Sequence, residues 1–292
     1  MFEAASVSKT MFAYAVMQLR DRGLLSLDTP LTTYTTDRIL EGDPRLDQIT
    51  ARHVLSHTSG LPNFRSGGEP LAIQFTPGER HRYSGEGYWY LQSVLTRLAG
   101  SVEAANCGTY EAGLRVCATD IDRYLKTNVL VPCGMSSSSY VWQEEFERRA
   151  ARPHDVEGRL LPVGRTSATD AARYAAMGAL RTTASDYANF LIEIMAPRAP
   201  ERFRLTDASR REMLRPHVKV DETTSWALGW AVRHSPNGDV IQHQGGHRGT
   251  QAFAAASAAR QSGYVILTNS DNGGKVFYDE RFRAMMDTVM FG

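Results

Sequence analysis

The sequence predicts an α+β protein: an antiparallel sheet flanked by helices, joined to a mostly helical region. Three observations carry this. Apolar residues recur at helical spacing through roughly the first half of the chain, short strand-like runs separated by turn residues fill Trp226 to Asn269, and an amphipathic segment closes the chain from Val276 to Met290. Residues 1–175 are assigned to the helical region and 176–292 to the sheet with its flanking helices, the two forming one unit.

The first helix follows from Val7 to Leu19, where Met11, Phe12, Ala13, Tyr14, Ala15, Val16 and Met17 are consecutive. A helix apolar all round is buried on every side. Its start is placed near Ser6 and its end at Gly23. Thr50 caps a second helix with Val54 and Leu55 inward, stopped by Gly60 and Pro62; Ser84 caps a third, with Tyr88, Leu91, Leu95 and Leu98 on one face up to Gly100. Residues 101 to 118 read as a surface insertion. Further helices are expected at Ile121 to Val129 and Ser185 to Met195.

The strand runs are Trp226 to His234, Asp239 to His243, Gln251 to Ser257 and Gly263 to Asn269. Their connections are too short for crossovers, so the strands pair as antiparallel hairpins. The last segment is expected to lie on this sheet as a single helix.

At 292 residues the chain is long enough to bury a sizeable core without staples. Thirty-three basic and 32 acidic side chains leave a net charge of +1, so nothing directs the surface as a whole toward nucleic acid or anionic lipid. A small-molecule ligand is the default, and no stretch has the length of a membrane span. The first 20 residues resemble a signal peptide only superficially: Glu3 precedes the apolar run, Lys9 interrupts it, and no small-residue cleavage site follows. They read as mature protein, with cytoplasmic and exported locations both open. Cys107, Cys117 and Cys133 contain no Cys-x-x-Cys pair, so neither a zinc ribbon nor a disulfide scaffold is supported, and a Cys107–Cys117 bridge is left open.

Ser6-Val7-Ser8-Lys9 carries the sharpest chemical signal. Residues three apart share a helix face, so the Lys9 amine is expected one turn above the Ser6 hydroxyl. The helix N-terminus supplies positive potential and free N–H groups for a developing oxyanion. Burial in an apolar helix lowers a lysine pKa and makes the amine available as a base. The chain has only four lysines, and arginine cannot deprotonate.

Three further segments follow in order: Leu55-Ser56-His57-Thr58-Ser59-Gly60-Leu61-Pro62 with Phe75-Thr76-Pro77-Gly78-Glu79, then Tyr83-Ser84-Gly85, then His243-Gln244-Gly245-Gly246. With Ser6-x-x-Lys9, the ordered set resembles the serine β-lactamase-like superfamily over nearly the whole chain. The resemblance is to the branch of class C β-lactamases, D-alanyl-D-alanine peptidases and family VIII carboxylesterases. It implies a β-lactamase/transpeptidase-like fold, Ser6 as acylated nucleophile, Lys9 as its proton acceptor or electrostatic support, and Tyr83 as proton relay. It also implies substrate binding along Gly85, His243, Gly245 and Gly246, with the Gly246 and Ser6 N–H groups as oxyanion hole, and no metal or organic cofactor.

Gly85 stands where the family usually has asparagine, and His243 where β-lactamases often have lysine. Both changes remove groups that would contact an acylamide or carboxylate. A small ester or amide is therefore the expected substrate; the alternatives are a β-lactamase or D-alanyl-D-alanine carboxypeptidase, and a non-catalytic binding protein. Relatives also carry a helix and strands ahead of the serine motif. Only five residues precede Ser6 here, so the chain is expected either to be truncated or to lack those strands.

Other motifs read as structural. Ser270-Asp271-Asn272 is expected to be a turn; His53 and His57, four apart, lack the glutamate of a metalloprotease helix; Trp226 and Trp230 are expected to be core. Gly-x-Ser-x-Gly and a phosphate-binding loop are both absent.

Overall fold

Every residue from Ser8 to Leu19 is buried in the computed structural model, which describes residues 1–36, 38–65, 69–99, 107–109, 115–196 and 202–292. Strand β1 (Phe2–Glu3) leads through a tight turn at Ala5–Val7 into helix α1 (Ser8–Asp21). The helix is apolar all round because it has protein on all sides. Among its polar groups, Thr10 donates to the Val7 carbonyl at 2.8 Å and shares a bond with Tyr187 at 2.7 Å, and the Gln18 amide nitrogen donates to the Asn128 and Phe203 carbonyls.

Helix α2 (Ala51–Leu55) is capped by Thr50, as its sequence predicts. It ends well before Gly60, because the chain turns at His57 with φ +56°. Ser84 caps α3 (Gly85–Leu98), its hydroxyl accepting the Gly87 N–H at 3.0 Å. Of the expected insertion, 101–106 and 110–114 lie outside the described residues. The rest contains strands β2 (Cys107–Thr109) and β3 (Arg115–Cys117), antiparallel, with Cys107 and Cys117 as register partners.

Helices α4 (Ala118–Leu125), α5 (Phe146–Arg149) and α6 (Ala168–Tyr174) follow. The helix expected to run to Val129 changes at Lys126 into a wider π turn. Strand β4 (Arg181–Thr182) pairs with β1, Glu3 opposite Arg181, so the segment before Ser6 is anchored to the second half of the chain. Next come α7 (Ala184–Met195) and α8 (Asp207–Leu214).

The main sheet comprises β5 (Val218–Lys219), β6 (Thr224–Trp226), β7 (Ala231–Arg233), β8 (Val240–His247), β9 (Thr250–Ser257) and β10 (Ser262–Thr268). Its strands run antiparallel in sequential order. The single run expected from Trp226 to His234 is two strands, folded back where the Ala227 N–H donates to the Trp230 carbonyl. The closing helix is also two, α9 (Gly274–Tyr278) and α10 (Glu280–Phe291), divided at Asp279, whose carboxylate caps the second through the Phe282 N–H.

The sheet is buried on both faces. On β9, Phe253 and Ala255 pack with Phe277 and Phe291 of the terminal helices, whereas Ala252, Ala254 and Ala256 join the large core around α1. The alternation is the strand period of two. These alanines are small enough to let helices approach closely, and that seats the start of α1 against the middle of the sheet.

Gly85 opens α3 where a Cβ would lie 2.5 Å from the Asn63 carbonyl oxygen and 3.1 Å from its side-chain oxygen. Glycine to alanine within a helix ordinarily gains about 0.5–1 kcal/mol, but overpacking against backbone costs about 1–3 kcal/mol. Gly85→Ala is therefore expected to lower the denaturant midpoint in equilibrium unfolding; a raised midpoint would show that the Asn63 loop yields freely.

Candidate active site

Ser6 sits in the turn between β1 and α1, directly after Ala5, whose φ of +46° is a left-handed conformation uncommon outside glycine. Its side chain does not cap the helix, contrary to the simplest structural role for a serine there. The turn is pinned by the Ala4 N–H donating to Leu180 at 2.9 Å and by Ser8, whose hydroxyl donates to Ala5 at 2.6 Å and accepts from the Leu180 N–H at 3.1 Å. The Ser6 hydroxyl is left to face the space between the two regions.

The Lys9 Nζ lies 3.3 Å from Ser6 Oγ and donates to the Met177 carbonyl at 2.8 Å. It is buried, and desolvation brings its pKa from 10.5 down to about 7. The Tyr83 and Tyr88 rings stand 5.1 and 5.5 Å from it. No carboxylate is among the causes of its shift. Among the described residues, the lysine is deprived of water without a counter-ion to restore its charge.

Tyr83 projects from the loop before α3 with its hydroxyl buried. Burial raises its pKa above the ordinary 10 and the adjacent Ser6 hydroxyl offsets part of this, although no hydrogen bond of good geometry joins the two. His243 on β8 is buried as well. Desolvation, then the Lys9 charge, take its pKa down to about 3, against the opposing bond from Nδ1 to the Gln244 carbonyl at 2.7 Å. The ring is neutral at pH 7, and with the proton on Nδ1 its Nε2 is a buried acceptor.

Gly245 brings β8 against the serine turn. A Cβ there would lie 2.5 Å from the Ala4 carbonyl oxygen and 2.7 Å from the Ser6 nitrogen, so only glycine permits the approach. Two cavities meet at Ser6 and Gly246. One, of about 580 Å³, is walled by Asn63, Tyr174, Met177 and His247; the other, of about 360 Å³, by Tyr83, Trp226, His243 and Phe253. At the first, Glu3 bonds His247 at 3.0 Å and buried Arg181 at 2.7 Å. Burial works to raise its pKa, but the His247 bond and the Arg181 charge prevail and hold it low.

Ser6, Lys9, Tyr83, His243, Gly245 and Gly246 are thus brought together as the sequence expects. Gly85 is not: it lines neither cavity, and Asn63 stands over it as part of the wall. Trp230 is core, but Trp226 faces the second cavity, a correction that follows from the turn separating them. Ser270-Asp271-Asn272 is a turn, with the Ser270 hydroxyl accepting from the Asn272 N–H. His57 lies beyond the end of α2, so the helical pairing with His53 is not formed. Asn63 and the Met177 carbonyl escape sequence reasoning, since nothing local distinguishes a loop amide or a backbone oxygen from its neighbours.

Penicillin-binding protein 4* of Bacillus subtilis (strain 168) is 23% identical over 326 residues, an alignment covering all of this chain and 65% of that protein. Esterase EstB of Burkholderia gladioli is 42% identical over 64 residues, 21% of this chain and 16% of the esterase. The octameric penicillin-binding protein homologue from Pyrococcus abyssi superposes with a TM-score of 0.76 at 21% identity, covering 99% of this chain and 65% of that one. The chain therefore spans at most 65% of the length of these three relatives. The family model described as Beta-lactamase matches residues 1–285, and with that match across the sheet, the serine turn and Lys9, the chain belongs to the Beta-lactamase family.

Proposed function

We propose that the chain is a serine hydrolase acting through an acyl-Ser6 intermediate on small esters or amides, with uncharged esters favoured. The observation that carries this reading is the Ser6 hydroxyl 3.3 Å from the buried Lys9 amine, where two cavities meet.

Neutral Lys9 takes the proton as Ser6 Oγ bonds to the carbonyl carbon, and the carbonyl electrons move to an oxygen held by the Ser6 and Gly246 N–H groups. As that oxygen reforms its double bond, the ester C–O bond breaks and the proton passes from Lys9 through Tyr83 to the departing alcohol. Water then attacks the acyl carbon, giving its proton through Tyr83 to Lys9; the acyl carbon–Oγ bond breaks, the carboxylic acid leaves, and Lys9 returns the proton to Ser6 Oγ. Tyr83 suits a relay because burial keeps it protonated.

Substrate preference rests on charge. Neutral His243 supplies no fixed cation for a carboxylate, and Gly85 supplies no side-chain amide. The local similarity to an esterase supports the same direction. Turnover of p-nitrophenyl butyrate is expected to exceed that of nitrocefin; fast turnover of nitrocefin alone would favour the β-lactamase alternative. A fluorophosphonate probe should transfer its phosphonyl group to the peptide bearing Ser6, with loss of hydrogen fluoride, and leave Ser6→Ala unlabelled. No labelling of the parent would favour a binding protein.

The Lys9 amine also sets two pH dependences. Activity requires its neutral form, so kcat/KM should rise with pH through about 7. Lys9→Met should cost about 10²–10⁴-fold, the usual contribution of a general base. For stability the sign follows from proton uptake on unfolding: the unfolded chain binds a proton that the folded one sheds between pH 7 and about 10.4. The penalty of burying the charge is complete below 7 and gone above that window. The melting temperature of Lys9→Met relative to the parent should therefore be more favourable at pH 6 than at pH 10; a difference independent of pH would contradict the burial of a titrating amine.

A further inference from the structure

The chain around Tyr83 is held by one residue outside both cavities. The His57 carbonyl accepts the Arg82 N–H at 2.8 Å, its ring Nδ1 accepts the Ser84 N–H at 3.0 Å, and its ring lies against that of Tyr83 with centroids 4.1 Å apart. Three consecutive residues, Arg82, Tyr83 and Ser84, are thus bracketed from a single position. We infer that His57 is a positioning residue that aims the Tyr83 hydroxyl at Ser6, an inference resting on the relay role proposed for Tyr83.

The residue type supports this over simple filling of the core. His57 is fully buried in left-handed backbone at φ +56°, a conformation that disfavours bulky apolar residues and tolerates histidine and asparagine. Because Nδ1 accepts a hydrogen bond, the neutral ring carries its proton on Nε2, and that atom is buried with no hydrogen-bond partner among the described residues. A site needing only volume would avoid both the backbone strain and the orphan donor. Strain maintained beside a candidate catalytic group is the pattern in which local geometry serves function. The Tyr88, Trp226 and His81 rings close around the imidazole at 5.2, 4.9 and 6.0 Å, fixing its plane and through it the tyrosine ring. His57 lines neither cavity, so its influence passes through the rings packed on it, of which Tyr83 at 4.1 Å is the nearest.

The test is a double-mutant cycle on ester hydrolysis in the full chain. His57→Ala is expected to lower kcat about tenfold or more with KM within about twofold. His57→Asn, whose side-chain oxygen occupies the place of Nδ1 and which accepts positive φ, should retain kcat to within about threefold. In a Tyr83→Phe background either substitution should cost less than about twofold more, because groups acting through one another are non-additive. If His57→Ala does not fold, as read by circular dichroism, the Asn variant completes the same cycle: its residual deficit should vanish once Tyr83 is phenylalanine. Equal losses in both backgrounds, or a folded Ala variant no worse than Asn, would overturn the positioning role while leaving the Tyr83 relay intact. Tyr83→Phe with full activity would overturn the relay and this inference together.

Discussion

Taking an ammonium group out of water costs several kcal/mol in a protein interior unless a counter-charge or a set of acceptors replaces the solvent. Among the described residues Lys9 has one backbone acceptor, the Met177 carbonyl, with the Tyr83 and Tyr88 rings 5.1 and 5.5 Å away. That shortfall lowers its pKa to about 7, and burial shifts the neighbouring groups as well. His243 remains uncharged partly because a second cation beside Lys9 is disfavoured, and Tyr83 remains protonated because its phenolate would be desolvated. The chemistry available to Ser6 is set by this one dry neighbourhood.

The fold produces the dryness by convergence. β1 is tied to β4, the serine turn is pinned to Leu180, and Gly245 lets β8 press on that turn from the opposite side. The Tyr83 loop closes a third side, braced by His57. Each contact joins segments distant in sequence, so the site exists only when the helical region and the sheet are assembled together. Ala5 in left-handed backbone marks where that assembly places strain, immediately before the serine.

Much of this was legible in the residues. The all-apolar run after Ser6 identified a helix buried on every side, and Ser-x-x-Lys spacing put amine and hydroxyl within 3.3 Å. Short runs between turn residues identified an antiparallel sheet, and the amphipathic segment after them a helical layer on one of its faces. The misreadings came where turn chemistry was hidden inside an apolar pattern. Trp226 and Trp230 are spaced as if on one strand, yet the hairpin between them sends one ring to the core and the other to the cavity. Asp279 divides what reads as one amphipathic helix because an aspartate can cap a new helix as readily as decorate an old one. Asn63 at the cavity wall and His57 behind Tyr83 depend on tertiary approach, which no local spacing encodes.

The central claim, that burial leaves the Lys9 amine half-deprotonated near neutral pH, is open to direct measurement because the chain contains only four lysines. An NMR titration of side-chain-labelled lysine should give one resonance titrating near pH 7, absent in Lys9→Met, and three with ordinary values of about 10.4. Four resonances all titrating near 10 would contradict the account, for Lys9 would then be a permanent cation and Ser6 would lack its base.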